Sequence, residues 1–229
     1  MLAFIASIFL TLSAVVLQDE PRRFLDPQSV PAEGKAPEDF VPRGWKLEGE
    51  VVSGDLNRDG SPDAVLRVAE DLAAENKEGI VNTRHRALVI LFARPSGGYE
   101  RAAVGARLLY CSTCGGMLSD PSGASTAVEI KSGVLVVTQL SGAREATDFT
   151  QRFRYDPAAR RFQLIGEDSD TYDRLTGEST KVSTNLLTGL RVNESYKVKT
   201  KGGEPVLVAS RRERVAVTRR FIEDVDYEQ

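Results

Sequence analysis

Apolar residues along this chain fall in short runs and two-residue alternations broken by Gly and Pro, with almost no stretch that keeps the spacing of a helix face. Ala64 to Val68, interrupted only by Arg67, and Ala87 to Phe92 are short apolar runs, long enough for buried strands and too short for helices. Trp45 to Val52 begins with the alternation of a half-buried strand, and the polar stretch from Glu70 to Thr83 tolerates a helix. Three hairpins are predicted further on. The first joins Ala127–Ile130 to Val134–Thr138 through Lys131-Ser132-Gly133, and the second joins Phe149–Tyr155 to Arg161–Ile165 through Asp156-Pro157-Ala158-Ala159-Arg160. The third joins Thr180–Leu187 to Leu190–Val198 through Thr188-Gly189. Asp, Pro and Gly favour tight reversals at these positions. The pattern predicts a mainly β fold, an antiparallel meander with few short helices, arranged as an open sheet, a sandwich or an irregular propeller-like array.

Outside that pattern lie two N-terminal segments. Residues 2–17 carry no charge and read as the apolar part of a secretory signal peptide, or as an N-terminal anchor at the short limit for crossing a bilayer. Residues 18–42 are rich in Pro and acids without an apolar period, which predicts a linker or a loosely draped arm. A single β-rich domain is expected over 43–229, exported to the periplasm or the extracellular space and touching a membrane only if the N-terminal segment is retained. The only cysteines are Cys111 and Cys114, so a lipid-anchoring cysteine near the leader is excluded.

Composition refines this picture little. With 41% hydrophobic and 28% charged residues the chain is an ordinary globular one. Thirty basic against thirty-three acidic residues, without segregation of sign, leave no footprint for nucleic acid. The run Arg211, Arg212, Arg214, Arg219, Arg220 is interleaved with Val215 and Val217, as on the solvated side of an edge strand.

The sharpest chemical signal is Gly54-Asp55-Leu56-Asn57-Arg58-Asp59-Gly60-Ser61-Pro62-Asp63. Oxygen side chains alternate along it, and Gly60 stands where the chain must reverse. Calcium takes six to eight such oxygens. Asp55, Asn57 and Asp59 would offer side chains, Ser61 its carbonyl, and Asp63 a carboxylate directly or through water. The twelfth position, which in an EF-hand supplies a bidentate Glu, is Leu66. The loop resembles instead the calcium loops on the hairpins of integrin alpha-chain propellers, a likeness confined to these residues. A metal-free Asp-Gly turn is the bland alternative.

Together with Cys111 to Gly116 (C-x-x-C-G-G) and Ser183 to Gly189 (S-T-N-x-L-T-G), the loop makes the chain similar to a group of uncharacterised exported bacterial proteins. That resemblance implies one continuous fold and a structural metal, and it brings no established activity.

Cys111 and Cys114 are expected as a short-range disulfide in an oxidising compartment. A thioredoxin-like use is disfavoured because Gly115-Gly116 follows where a helix would begin. Zinc lacks ligands, since His85 is the only histidine. His85 is read as a surface residue, and no Ser or Cys triad can be assembled around it. Glu167, Asp168, Asp170 and Asp173 form an acidic cluster, read as a solvated loop or as the carboxylates of a glycan hydrolase. The expectation is an exported non-enzymatic protein with a structural Ca²⁺ loop that binds a protein or an envelope component. The alternative is a hydrolase acting on glycans or envelope polymers through acidic residues.

Overall fold

Two runs, Asp63–Glu70 (β4) and Arg86–Ala93 (β5), are buried at nearly every position, so both faces of their sheet must be covered. The structure, a computed structural model describing residues 24–200 and 203–228, shows how. β4 and β5 are the centre of a six-stranded antiparallel sheet with Glu33–Gly34 (β1), Tyr99–Gly105 (β6), Trp45–Leu47 (β2) and Val52–Gly54 (β3). β2 and β3 share one edge of β4, pairing with its far and near ends.

One face of this sheet meets a second, seven-stranded antiparallel meander. Its strands run in chain order: Thr126–Lys131 (β7), Val134–Gly142 (β8), Glu145–Asp156 (β9), Arg161–Asp173 (β10), Ser179–Asn185 (β11), Leu190–Val198 (β12) and Pro205–Arg214 (β13). Val65, Leu88, Ile90 and Phe92 from the first sheet pack between the sheets on Leu135, Phe153, Phe162 and Leu164 from the second. Burying such side chains contributes about 1.5–3 kcal/mol each.

The opposite face of the first sheet, with Ala64, Leu66, Val68, Val89 and Leu91, is covered by the segment leading into β2, whose Leu25, Val30 and Phe40 are buried there. From residue 24 onward, the stretch expected as linker or draped arm therefore contributes core. Its apolar residues show no period because extended chain and two 3-10 turns, Pro27–Ser29 and Pro37–Phe40, present them one at a time. The segment expected as a signal peptide or anchor, residues 1–17, lies outside the described residues. Among the described residues no helix is long and apolar enough to cross a membrane.

The three hairpins predicted from turn chemistry are β7–β8, β9–β10 and β11–β12. Ser132 and Gly133 both take positive φ, the geometry that matches strand twist in a two-residue loop. Among the described residues only 3-10 turns represent the expected short helices, the third being Ile222–Asp224. The helix-tolerant stretch from Glu70 to Thr83 is irregular: it has no apolar face to bury, and Asn76 folds it by accepting from the amides of Glu78 and Ile80.

β9 and β10 are the longest strands, and their inward positions change character along their length. On β9 these are Phe153, Gln151, Phe149 and Thr147. On β10 a bulge between Leu164 and Gly166 shifts the alternation, so Glu167 faces inward opposite Gln151. Arg220 and Phe221 fill the edge of β10 that β11 leaves open, and the turn after them buries Ile222 and Val225 in the core.

Candidate functional site

The acidic loop joins β3 to β4 and is held in shape by its own side chains. Asp55 accepts from the Arg58 amide at 2.6 Å and the Gly60 amide at 3.0 Å, one per oxygen. Asn57 Oδ1 accepts from the Asp59 amide, its Nδ2 donates to Asp59 Oδ2 at 2.9 Å, and Asp59 Oδ1 accepts from the Ser61 amide at 2.7 Å. The Ser61 amide, and after it the Asn57 side chain, hold the Asp59 carboxyl below its usual range. Gly60 has φ +88°, the left-handed conformation expected of the turn residue. Asp55, Asn57 and Asp59 thus face one small turn. Each carboxylate oxygen so engaged retains a lone pair.

Asp63 is different. It is fully buried, and its carboxylate takes the amides of Leu56 at 2.8 Å, Asn57 at 3.3 Å and, across the sheet, Ala93 at 3.0 Å. Burial outweighs those amides and holds its carboxyl above the usual range. Asp63 ties the loop to β4 and β5, and as placed its Oδ2 is already shared by two donors. Among the described residues, no three His, Cys, Asp or Glu side chains converge as a metal group.

Cys111 and Cys114 form a disulfide, with Cys111 buried and Cys114 at the surface. The glycines after them explain the C-x-x-C-G-G motif. Gly116 has φ +67°, and a Cβ there would lie 2.9 Å from the Gly142 carbonyl oxygen. This close approach lets Gly115 and Leu118 exchange backbone bonds with Gly142 at the end of β8. Ser112, fully buried, joins the same loop to the chain before β5: its Oγ accepts from the Arg84 amide and donates to the Asn82 carbonyl. In the S-T-N-x-L-T-G motif, Asn185 accepts from the Leu187 and Thr188 amides, and Gly189 has φ +70° with a virtual Cβ 2.6 Å from the Val215 oxygen. Both motifs are backbone devices. His85, expected at the surface, is half-buried, its ring 4.8 Å from that of Phe24.

The acidic cluster on β10 is divided by the pleat. Glu167 faces inward and pairs with Arg220 at 2.9 Å. Asp168 and Asp170 face outward and pair with Arg152 at 2.6 Å and Lys181 at 2.8 Å. Asp173, at the strand end, pairs with Arg144. The cluster is thus neither a loop nor one convergent set. The outer face adds a carboxylate the sequence did not single out: Asp148 on β9 stands directly opposite Asp170. Burial, and then the Asp170 charge, raise its carboxyl above the usual range.

A cleft of about 250 Å³ opens where β9 and β10 run out from under the first sheet. Phe149, Gln151 and Glu167 line it from the strands, Leu108 and Tyr110 from the chain after β6, and Arg220 and Tyr227 from the C-terminal segment. Gln151 donates to Glu167 at 3.0 Å, and the Tyr110 and Tyr227 rings meet edge to face at 5.7 Å. The fully buried Gln139 is committed to the backbone, accepting from the Tyr110 amide and donating to the Leu108 carbonyl. The one signal in the sequence is Gln151, a polar residue interrupting the alternation Phe149, Phe153, Tyr155.

No protein-family model, curated protein or solved structure matches the chain.

Proposed function

We propose that this is an exported, non-enzymatic binding module, delivered by its N-terminal segment, whose Asp55–Asp63 loop is fastened by one Ca²⁺ and whose partner is a protein or an envelope component. The observation that carries this reading is that Asp55, Asn57 and Asp59 all bond within a single turn whose base, Asp63, is anchored in the sheet. The donors are all oxygens, as a hard cation requires. Asp55, Asn57, Asp59 and the Ser61 carbonyl would hold the ion, with Asp63 contributing directly or through water. The ion would neutralise three carboxylates in a short loop and leave the chemistry of the rest of the molecule unchanged. The test is thermal melting of the full chain with calcium and with chelator. Calcium should raise the melting temperature of the wild type and leave Asp59→Ala unmoved; identical melting of the wild type in both conditions would sink the reading.

A second reading, a hydrolase acting on glycans or other envelope polymers, is favoured by one feature, the Asp148–Asp170 pair on the outer face. Reducing-sugar release from peptidoglycan or a β-glucan, abolished by Asp148→Asn or Asp170→Asn, would put it first.

A further inference from the structure

We infer that the cleft between the two sheets is a binding site for one sugar unit of a neutral glycan, which deepens the binding-module reading and rests on it. The inference starts from the inward face of β9. Under the first sheet that face is apolar, at Phe153. Beyond it come Gln151, Phe149 and Thr147, which set one aromatic ring between an amide and a hydroxyl along the cleft. Phe149 is half-buried, so part of its ring faces the cleft. The polar groups around it are planar amide, carboxylate and guanidinium: Gln151, Glu167 and Arg220, already joined to one another at 2.9–3.0 Å and so fixed in place.

Charge narrows the ligand. Arg220 is matched by Glu167, and Arg107 reaches Asp226 on the rim at 2.6 Å, so the cleft offers no surplus cation for a phosphate or a carboxylate. Gln151, Glu167 and Arg220 bond to one another but keep further donor and acceptor sites, and a purely apolar ligand would strip the water from those sites without replacing it. What remains is a molecule with an apolar C–H face for Phe149 and Tyr110 and hydroxyls in the ring plane for Gln151, Glu167 and Arg220. A pyranose has both. Size agrees, since about 250 Å³ is less than the roughly 300–1,000 Å³ that drug-sized ligands fill. Further room lies beyond. Thr147 on the rim shares a hydroxyl hydrogen bond at 2.9 Å with Thr171, which opens onto a shallow groove of about 460 Å³ that includes Thr180 and Ser195. A chain of sugars seated by one unit in the cleft can continue along those hydroxyls.

The test is saturation-transfer NMR on the full chain with methyl β-glucoside, methyl β-galactoside and methyl β-N-acetylglucosaminide at millimolar concentration, followed by cellotetraose and chitotetraose. At least one glycoside should receive saturation at its ring C–H protons, and the tetraose of the preferred unit should bind more tightly. Phe149→Leu should weaken binding about tenfold and Phe149→Trp should restore it. Arg220→Ala should weaken it without lowering the melting temperature. Transfer to none of the five sugars, or binding equal in wild type and Phe149→Leu, would overturn the proposal. The outcome separates from that of the calcium reading: a chain stabilised by calcium that binds no sugar loses only the cleft, and one that binds sugar with no response to calcium loses only the staple.

Discussion

Asp63→Ala removes the post on which the acidic loop stands, and it does so whether or not a cation is bound. The side chain accepts from three backbone amides, of which Leu56 and Ala93 are buried or partly buried at 2.8 and 3.0 Å, while Asn57 at 3.3 Å is weaker and nearer to water. A hydrogen bond to a charged acceptor contributes about 1.5–3 kcal/mol net, so the two good bonds together are worth roughly 3–6 kcal/mol. Two effects reduce the loss. The mutant no longer buries a carboxylate whose ionised form burial disfavours, and the loop amides can turn to water. A net destabilisation of about 2–4 kcal/mol follows. The measurement is urea denaturation in chelator, so that no metal contributes. With a slope of about 2 kcal/mol per molar, the middle of the usual range, the midpoint should fall by roughly 1–2 M. Asp59→Ala, which removes an exposed carboxylate, should move it by less than about 0.5 kcal/mol in the same buffer. A loss under about 1 kcal/mol for Asp63→Ala, or an equal loss for Asp59→Ala, would refute the assignment of Asp63 as anchor.

Two further outcomes follow from buried charge. At the break between β2 and β3 the Glu48 carboxylate accepts from Arg86 at 2.7 Å and forms an ion pair with Arg67 at 3.1 Å, where Arg86 is 2% exposed and Arg67 14%. Glu48→Ala leaves both guanidiniums without their carboxylate and should cost about 3–5 kcal/mol in chemical denaturation. Asp148→Asn acts in the other direction. Because the Asp148 carboxyl is raised from 3.8, the folded chain binds a proton more readily than the unfolded one, and stability rises as pH falls through the window above that value. The Asn variant should be more stable than wild type at pH 7 by up to about 1 kcal/mol, allowing for partial exposure, and should lose that pH-dependent rise in melts across pH 4 to 7.

How far the sequence carried these conclusions depended on whether the signal was local. The β7–β8, β9–β10 and β11–β12 hairpins were legible because Ser132-Gly133, Asp156 and Thr188-Gly189 mark their own reversals, although the third begins earlier, at Asn185. β4 and β5 were legible as buried strands from their short apolar runs. What supplied the outer cover was not legible: Leu25, Val30 and Phe40 sit on irregular chain, where no period marks them. The acidic loop could be read residue by residue, except that nothing in its spacing distinguishes the buried Asp63 from the exposed Asp59. The bulge at Ile165 was equally invisible, and it alone decides that Glu167 faces the cleft while Asp168 and Asp170 face away. Asp148 comes opposite Asp170, and Phe149 shares a cleft with Tyr110 and Arg220, only through strand register and the return of the C-terminal segment, which are long-range facts.

The central claim, that one calcium ion fastens the β3–β4 loop, is tested most directly by equilibrium dialysis of the chelator-stripped full chain against calcium chloride. The account predicts one ion per chain, lost in Asp55→Ala and in Asp59→Ala and kept in Asp168→Ala. No bound calcium at millimolar concentration, or binding that survives both loop substitutions, would contradict it.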